Sequence, residues 1–229
     1  MNNIRAITLD LDDTLWSIGP VIQRAEEALW DWLARHYPRI EERWSPEQLI
    51  ELRSQMYDRY PHKVHDFRFL RKKVLEYVAL EVGYTTDLVD PAFAVFDAGR
   101  NRVDLFPEVD DELSWLADRY KLVAVTNGNA NLHTIGIANH FHDIVTSVDV
   151  GAAKPARAIF DEAVRRTGYS PDQVLHVGDH PETDIVGAKK AGIRAVWVNR
   201  IDAPWPDKLV APDATVTTLS ELRIMLENA

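Results

Sequence analysis

Four small groups of polar and charged residues stand apart in this chain, because each lies at or just after the end of a short apolar run. They are Asp10 with Asp12 and Asp13, Thr126 with Asn127, Lys154, and Asp179 with Asp184. A carboxylate can act as a nucleophile, as a general acid or base, or as a ligand of a hard cation. A lysine and a hydroxyl group can hold an anion. The four groups therefore contain the residue types needed for chemistry on a charged substrate.

The apolar runs beside these groups are predicted β-strands. Valine, isoleucine and leucine dominate them without clean alternation, and they cover residues 4–9, 122–126, 144–148, 174–177 and 193–198. Such runs are typical of strands that are covered on both faces, as in a parallel sheet. Ligands of open α/β sheets bind at the carboxyl ends of the strands. The four groups are therefore expected to meet at that edge of one sheet.

Helical patterns lie between the predicted strands. One covers residues 110–119, and another begins with Pro155 as its first helical residue and stops at Gly168. Proline at the first helical position and glycine just past the end are common helix boundaries. A last strand near residues 214–217 and a helix near 220–227 would close the sheet. The alternation predicts an α/β fold with a doubly wound, Rossmann-like parallel sheet.

Residues 17–103 interrupt this alternation, because they show only helical patterns. Four helices are predicted, starting near Pro20, Ser45, Phe67 and Asp90. Ser45 is expected to form a capping box with the glutamine three residues later. The sequence therefore predicts an α/β core domain, residues 1–16 and 104–229, that is split by a helical-bundle domain, residues 17–103.

The composition limits the class of protein. The chain has 229 residues, a formal net charge of −10 and no cysteine. An acidic chain is a poor partner for nucleic acid, and the absence of cysteine excludes disulfides, thiolate zinc sites and cysteine nucleophiles. No apolar run approaches the roughly 18 residues that a transmembrane helix needs. We therefore expect a cytoplasmic, monomeric enzyme that acts on a small molecule, with neither nucleic acid nor a membrane as partner.

Taken in order, the four groups resemble the motifs of the haloacid dehalogenase (HAD) superfamily. The resemblance implies that Asp10 is a nucleophile that forms an aspartyl-phosphate. It implies that Asp12 is the general acid and base, for which its pKa should be raised so that it holds a proton at neutral pH. The expected cofactor is Mg²⁺, bound by the Asp10 side chain, the Asp12 backbone carbonyl and the Asp179 side chain. Asp184 would orient a metal-bound water or Asp179; it is also a candidate helix N-cap, and the two roles are compatible.

The same resemblance assigns phosphate binding to the two central groups. Thr126 would donate its hydroxyl to a phosphate oxygen, and Asn127 and the backbone amides after it would add donors. Lys154 would balance the charge of Asp10 and of the phosphate, and the helix that follows would add the positive end of its dipole. Asp13 is expected to face outward or to cap a turn.

The resemblance makes a Mg²⁺-dependent phosphatase of small phosphate monoesters the leading hypothesis, with residues 17–103 as a helical cap. Three runs in the core and one in the insert are similar to bacterial phosphatases of flavin mononucleotide and of the riboflavin-pathway pyrimidine phosphate: ITLDLDDTLW, VAVTNGNA, LHVGDHPETDIVGA and HDFRFLRKKVL. A sugar phosphomutase uses the same pair of acids. A 2-haloacid dehalogenase is disfavoured by Asp12, because a halide leaves without a proton. A phosphonate-cleaving enzyme would need a lysine in the cap.

Several other residues have two interpretations. Arg68 and Arg71 are candidates to bind a substrate. Alternatively, Asp66 is a helix N-cap and the two arginines are exposed to solvent. Trp16 can stack on an aromatic substrate or pack in a hinge near residues 16–19, and the second hinge is predicted near residues 101–106. His176 is expected to be a core histidine with satisfied hydrogen bonds.

Overall fold

The computed structural model describes residues 3–228, and these contain one six-stranded sheet. Its strands are β1 (Ala6–Leu9), β2 (Lys121–Thr126), β3 (Asp143–Thr146), β4 (Val174–Gly178), β5 (Arg194–Val198) and β6 (Ala214–Val216). All neighbours are parallel, in the order β3-β2-β1-β4-β5-β6. The predicted α/β fold with a doubly wound parallel sheet is confirmed. The strand order reverses between β1 and β4, and ligands of such sheets bind at that point.

The four inner strands are apolar because both faces of the sheet are covered. Every residue of β1 and β4 is buried, and in β2 and β5 only the first residue is partly exposed. Side chains on both faces of these strands are therefore mostly apolar, and the strands lack the alternation of apolar and polar residues that is typical of a half-exposed strand. The core against one face contains Val123, Val145, Ile159, Phe160 and Ile185.

The predicted strand over residues 144–148 is too long at its end, because β3 stops at Thr146. The Thr146 hydroxyl accepts a hydrogen bond from the Asp149 backbone amide (3.1 Å), and the Asp149 carboxylate accepts one from the Thr146 amide (3.3 Å). This capping box starts a short helix at Ser147. Val148 lies in that helix and is 49% exposed.

The helices fill the connections between the strands. In residues 3–228 the α-helices are α1 (Ile18–His36), α2 (Pro38–Arg43), α3 (Pro46–Arg59), α4 (Phe67–Glu81), α5 (Val89–Arg100), α6 (Val109–Ala117), α7 (Leu132–Ile135), α8 (Ser147–Val150), α9 (Arg157–Thr167), α10 (Gly187–Lys190) and α11 (Leu219–Glu227). Short 3-10 turns occur at Pro61–Lys63, Thr86–Leu88, Ala138–His140 and Pro171–Gln173, and a π-helical turn at Pro181–Val186. Among them there is no helix with the length and apolar character needed to cross a membrane.

The helix after Lys154 begins later than predicted. Ala156 has an extended backbone (φ −61°, ψ 134°), and the first residue of α9 is Arg157. Pro155 therefore precedes the helix instead of starting it. The predicted end is correct, because Gly168 takes the left-handed conformation (φ 76°) that favours glycine after a helix.

The described chain divides into two compact units. One contains the sheet and comprises residues 3–17, 104–128 and 132–228; the other comprises residues 18–103 and 129–131. The short segment 129–131 belongs to the second unit through two hydrogen bonds. The Asn129 side chain donates to Asp97 (3.3 Å), and the Asn131 backbone amide donates to the Asn101 side chain (2.7 Å).

The second unit is a helical bundle formed by α1 to α5. Its core is apolar, with residues such as Leu29, Leu33, Leu70, Val78 and Phe96. The four predicted helices are present, and the short α2 is one that the prediction missed. The capping box at Ser45 is present, because Gln48 exchanges both hydrogen bonds with it. α2 starts at Pro38 but lacks a side-chain cap and has only 6 residues, so its sequence signal is weak.

Candidate active site

The loop after β1 brings two of the predicted acidic residues to the edge of the sheet. Asp10 continues the ladder, because its backbone amide donates to the Val177 carbonyl at 2.9 Å. Asp10 is buried, and its side chain accepts a hydrogen bond from the Thr14 hydroxyl at 3.1 Å. The chain then turns sharply at Asp13, whose φ of 60° is left-handed. Asp12 lies between Asp10 and this turn, in the same loop.

The segment after β4 supplies the second pair of acids. Asp179 directly follows the strand, and the Thr14 hydroxyl that contacts Asp10 also lies 3.3 Å from Asp179. Asp184 lies in the π-helical turn, fully buried. The interpretation of Asp184 as an N-cap is wrong, because the N-cap is His180, whose side chain accepts from two backbone amides. Asp184 instead accepts a hydrogen bond from the His180 amide at 3.0 Å and points into the site.

Lys154 joins these acids from the connection between β3 and α9. Its ammonium donates to the Asp10 carboxylate and, at 2.7 Å, to Asp184. All three side chains are less than one-tenth exposed. Positions 144 residues apart in the chain are therefore in direct contact, as expected for the carboxyl edge of a parallel sheet.

The charges in this cluster do not balance. Burial, together with the nearby carboxylates of Asp10 and Asp184, raises the pKa of Asp179 to about 8. Burial also raises the pKa of Asp10 to about 7, although the Lys154 ammonium opposes this shift. Burial acts in the same direction on Asp184, but there Lys154 and His176 prevail and lower its pKa. The pKa of Lys154 is raised, because its two carboxylate partners outweigh its burial.

The donor set fits a divalent cation. Asp10, Asp179 and Asp184 each offer a carboxylate oxygen, and these oxygens lie within 4.8 Å of one another. With Lys154 charged, three ionised carboxylates leave two negative charges uncompensated in a buried site. Oxygen ligands of this kind suit hard cations such as Mg²⁺ or Ca²⁺. The cluster can therefore hold a divalent cation, whose charge would stabilise the ionised carboxylates and so oppose the raised pKa values.

Thr126 lies at the end of β2 and is buried. Its hydroxyl oxygen accepts a hydrogen bond from the Gly128 backbone amide at 2.9 Å. Because this bond uses a lone pair of the oxygen, the hydroxyl proton is not consumed by it. The geometry is compatible with the predicted role of Thr126 as a donor to a phosphate oxygen.

Asn127 binds the backbone of Lys154. Its side-chain nitrogen donates to the Lys154 carbonyl at 3.0 Å, and its side-chain oxygen accepts from the Lys154 backbone amide at 2.7 Å. Both ends of the Asn127 amide are used in this way. The side chain therefore fixes the backbone of Lys154. Its amide nitrogen has a second N–H group, so donation from Asn127 to phosphate stays a prediction.

His176 supports the site from inside the sheet. Its ring is fully buried in β4, and burial lowers its pKa, so the imidazole is neutral. Nε2 lies 3.4 Å from Asp184, which can only accept, and Nδ1 lies 2.9 Å from the Thr8 hydroxyl. We infer that Nε2 carries the proton and that Thr8 donates to Nδ1. The prediction of a core histidine with satisfied hydrogen bonds is met, and the ring also contacts Asp184.

A model of the haloacid dehalogenase-like hydrolases matches residues 4–192, which is most of the chain and includes all four groups. The chain belongs to this family. The resemblance drawn from the four groups is therefore confirmed. The members of this family are hydrolases. In this hydrolase the polar residues around Lys154 follow the first, second and fourth strands of the sheet.

Named relatives cover nearly the whole hydrolase. The 5-amino-6-(5-phospho-D-ribitylamino)uracil phosphatase YigB of Escherichia coli (strain K12) is 28% identical over 99% of this chain and 98% of the relative. A glyceraldehyde 3-phosphate phosphatase of Methanopyrus kandleri is 32% identical over 86% of this chain and 84% of the relative. A solved structure described as a 2-haloacid dehalogenase from Pseudomonas syringae pv. Tomato DC3000 has 41% identity and a TM-score of 0.92, over 98% of this chain and 99% of that one.

Arg200 is a residue of the hydrolase that the sequence gave no reason to select. Its guanidinium donates two hydrogen bonds to the Thr14 carbonyl, at 3.1 and 2.8 Å. It also pairs with Glu108 at 2.8 Å and lies 3.8 Å from the centre of the Phe106 ring. Arg200 therefore fixes the loop whose Thr14 hydroxyl contacts Asp10. A single arginine after a strand carries no pattern, so only the structure identifies it.

The candidates in the helical unit have structural partners there. Asp66 caps α4, because its carboxylate accepts from the Phe69 amide at 2.9 Å. The Arg71 side chain is only 12% exposed; it pairs with Glu26 at 2.8 Å and lies 3.4 Å from the centre of the Phe96 ring. Arg71 is therefore neither solvated, as one interpretation held, nor open to a substrate. Arg68 remains more than half exposed.

Gly178 provides a test of how tightly Asp184 is held. A Cβ atom at this position would lie 2.5 Å from the Asp184 carboxyl carbon. We expect Gly178→Ala to lower the free energy of unfolding by about 1–3 kcal/mol, as overpacking does in other buried sites. Turnover should fall as well, because Asp184 must move away from Lys154. Urea unfolding and initial rates measure the two effects.

Gly19→Ala is the matched control. Nothing lies within 4 Å of an added Cβ atom at Gly19, which is in α1. Alanine is the better helix former, so this variant should be unchanged or more stable by up to about 1 kcal/mol. If Gly178→Ala is as stable and as active as Gly19→Ala, the close contact with Asp184 has no energetic role.

Proposed function

We propose that this hydrolase is a Mg²⁺-dependent phosphatase of small phosphate monoesters that works through an aspartyl-phosphate on Asp10. The observation that carries this proposal is the buried cluster in which Lys154 contacts Asp10 and Asp184 while Asp179 completes a donor set for a divalent cation. Two relatives that cover more than four-fifths of the chain are named as phosphatases. Residues 18–103 are proposed to be the cap that determines which substrate is accepted.

The chemistry divides into two steps. An oxygen of Asp10 forms a bond to phosphorus while the bond from phosphorus to the ester oxygen breaks, and the electron pair of that bond leaves with the ester oxygen. Asp12 gives its proton to that oxygen. In the second step a water attacks the aspartyl-phosphate, and Asp12 takes a proton from it. Inorganic phosphate leaves, and the Asp10 carboxylate is restored.

The remaining residues stabilise charge. Lys154 faces Asp10 and would balance the charge that the phosphate brings, and the Thr126 hydroxyl would donate to a phosphate oxygen. A bound Mg²⁺ would neutralise negative charge on the substrate and on the three carboxylates. Asn127 and His176 would act by holding Lys154 and Asp184 in place.

The substrate class can be tested with a panel of esters. It includes 5-amino-6-(5-phospho-D-ribitylamino)uracil and flavin mononucleotide, which the resemblance and the relative YigB favour, and glyceraldehyde 3-phosphate, sugar phosphates, nucleotides and 4-nitrophenyl phosphate. Phosphate release is measured with Mg²⁺ and with a chelator. We expect release that requires Mg²⁺ and is fastest with the pyrimidine phosphate or flavin mononucleotide. A folded, metal-loaded protein that releases phosphate from none of them contradicts the proposal.

The intermediate has its own test. Asp12→Ala should form the aspartyl-phosphate from 4-nitrophenyl phosphate, whose leaving group needs no proton, but should hydrolyse it slowly. Radiolabelled phosphate from a labelled aryl ester should therefore remain on the protein after acid quenching. Full activity of Asp12→Ala would exclude Asp12 as the acid and base.

A second candidate function comes from the solved structure at 41% identity, which is described as a 2-haloacid dehalogenase. In that reaction the Asp10 carboxylate would displace a halide from carbon, and no proton is needed for the leaving group. Asp12 would then have no task as an acid. Halide release from 2-chloropropionate, unaffected by Asp12→Ala, would favour this alternative over the phosphatase.

Asp179 should make the stability of the metal-free protein depend on pH. The folded-state pKa of Asp179 is raised from 3.8 to about 8. The folded state therefore binds more protons than the unfolded state between these pH values, and the stability of the metal-free protein falls as the pH rises through this range. Asp179→Asn removes the part of this slope that Asp179 contributes. At pH 8 its metal-free Tm should exceed that of the wild type by about 3 °C or more, a shift equivalent to about 1 kcal/mol.

The second half of this experiment measures the effect of Mg²⁺ on Tm. It should raise the Tm of the wild type and have little effect on Asp179→Asn, because a ligand is lost. Asp213→Asn is the control: Asp213 pairs with Lys189, which helps to lower its pKa, so its removal should reduce Tm slightly and leave the Mg²⁺ response intact. Equal Mg²⁺ responses of wild type and Asp179→Asn would show that Asp179 is not a ligand.

A further inference from the structure

Trp16 contacts the proposed acid and base directly. Its indole Nε1 donates a hydrogen bond to Oδ1 of Asp12 at 2.9 Å. The Trp16 side chain belongs to the largest fully buried side chains of the described residues. A buried ring cannot stack on a substrate in this conformation, so the aromatic-stacking interpretation of Trp16 is not supported. The packing of Trp16 is confirmed, with a polar contact in addition, and the hinge stays a prediction.

The backbone places Trp16 back beside Asp12. The left-handed turn at Asp13 reverses the chain, the Asp13 amide donates to the Trp16 carbonyl at 2.8 Å, and Asp12 and Trp16 form a bridge between their backbones. Trp16 also bridges to Leu105. The backbone of Trp16 is therefore held from two sides, by the loop that carries Asp12 and by a segment almost ninety positions further along the chain.

The direction of the hydrogen bond favours one oxygen of Asp12 as the site of a proton. An indole N–H is a donor only, so Oδ1 must accept. The carbonyl oxygen of a protonated carboxyl group accepts better than its hydroxyl oxygen, so this contact favours Oδ2 as the site of a proton on Asp12. Rotation of the carboxyl group about its bond to Cβ would break the bond from Trp16, so the same contact also fixes the plane of the carboxyl group.

We propose that Trp16 is a positioning residue, which holds Asp12 so that its Oδ2 proton is delivered to the leaving oxygen of the ester. The inference rests on the proposed function, because it gives Asp12 the role of general acid. In the step, the O–H bond at Oδ2 breaks and a new O–H bond forms at the leaving oxygen, while the electron pair of the broken bond to phosphorus stays on that oxygen. Oδ1 remains the acceptor of the Trp16 N–H throughout.

The test compares esters that differ in their need for a proton. Trp16→Phe retains an aromatic ring and removes the N–H. For an alkyl phosphate that the wild type hydrolyses, kcat/KM should fall by about 10–100-fold, a part of what general acid catalysis contributes. For 4-nitrophenyl phosphate it should fall less than about threefold, since 4-nitrophenolate leaves without a proton. The ratio kcat/KM is used because it covers the steps up to transfer of phosphorus to Asp10.

A double-mutant cycle separates positioning from packing. In the Asp12→Ala background, Trp16→Phe should have no further effect on the alkyl ester, because the group that it positions is gone. Trp115→Phe, the same exchange in α6, should leave the rates for both esters at wild-type values. Circular dichroism and the rise in Tm with Mg²⁺ confirm that each variant is folded and binds metal.

Each outcome has one meaning. Selective loss on the alkyl ester, absent in the Asp12→Ala background, supports the proposal. An equal fall for both esters, or the same fall with and without Asp12, shows that Trp16 only packs; unchanged rates show that its hydrogen bond is not used. If the wild type releases phosphate from no ester, the proposed function itself has failed, which is a different result from any of these.

Discussion

Asp10→Asn is expected to lower phosphate release by about 10⁴-fold or more, the scale on which removal of a nucleophile acts in other enzymes. The amide of asparagine has nearly the shape of the carboxylate but is a poor nucleophile, so no aspartyl-phosphate can form. The fold should survive, because Lys154 keeps Asp184 as a partner. Initial rates on the best ester of the panel, together with acid-quench labelling, measure the effect.

Asp13→Asn is the matched control for this variant. Asp13 lies three positions after Asp10 in the same loop, and its left-handed φ of 60° is a conformation that asparagine also adopts readily. We expect its rate to stay within about threefold of the wild type, since no step of the proposed reaction uses its side chain. Release that persists in Asp10→Asn would mean that Asp10 is not the nucleophile.

Lys154→Met should be the most destabilising single change in the site. Removal of the ammonium leaves the buried carboxylates of Asp10 and Asp184 without their cation. Breaking a buried ion pair by removing one partner typically costs about 3–5 kcal/mol, and we expect a loss of that size in the metal-free protein at pH 7.5. Loss of a charge that faces the reacting group should also reduce kcat by about 10²–10³-fold.

The pH dependence identifies the cause of this loss. Without Lys154, protonation is what allows the two carboxylates to stay buried, so the variant should become less unstable relative to the wild type as the pH falls towards 5. Lys189→Met is the control, because Lys189 and Asp213 form a pair that is about one-quarter exposed. That exchange should cost no more than about 1 kcal/mol. Equal losses for the two variants in urea unfolding would contradict the electrostatic account.

The elements that position the site were predictable because their signals are local. A run of valine, isoleucine and leucine is typical of a parallel strand that is buried on both faces. A serine followed three residues later by glutamine can start a helix through hydrogen bonds between these two residues. The meeting of the four groups followed from one topological rule, since the ends of parallel strands share an edge. The end of β3 was misjudged because Thr146 and Asp149 form a cap that competes with the apolar character of Val148.

The sequence by itself determined the α/β class, the helical insert, the family and the acids and lysine that meet at the sheet edge. Only the tertiary structure decided what each side chain does there: that Asn127 clamps Lys154, that His176 contacts Asp184, and that the Trp16 indole donates to Asp12. The reason is physical. Strand and cap preferences arise from neighbours in the chain, whereas the direction of a hydrogen bond across the sheet edge depends on backbone turns and rotamers set by packing against distant residues.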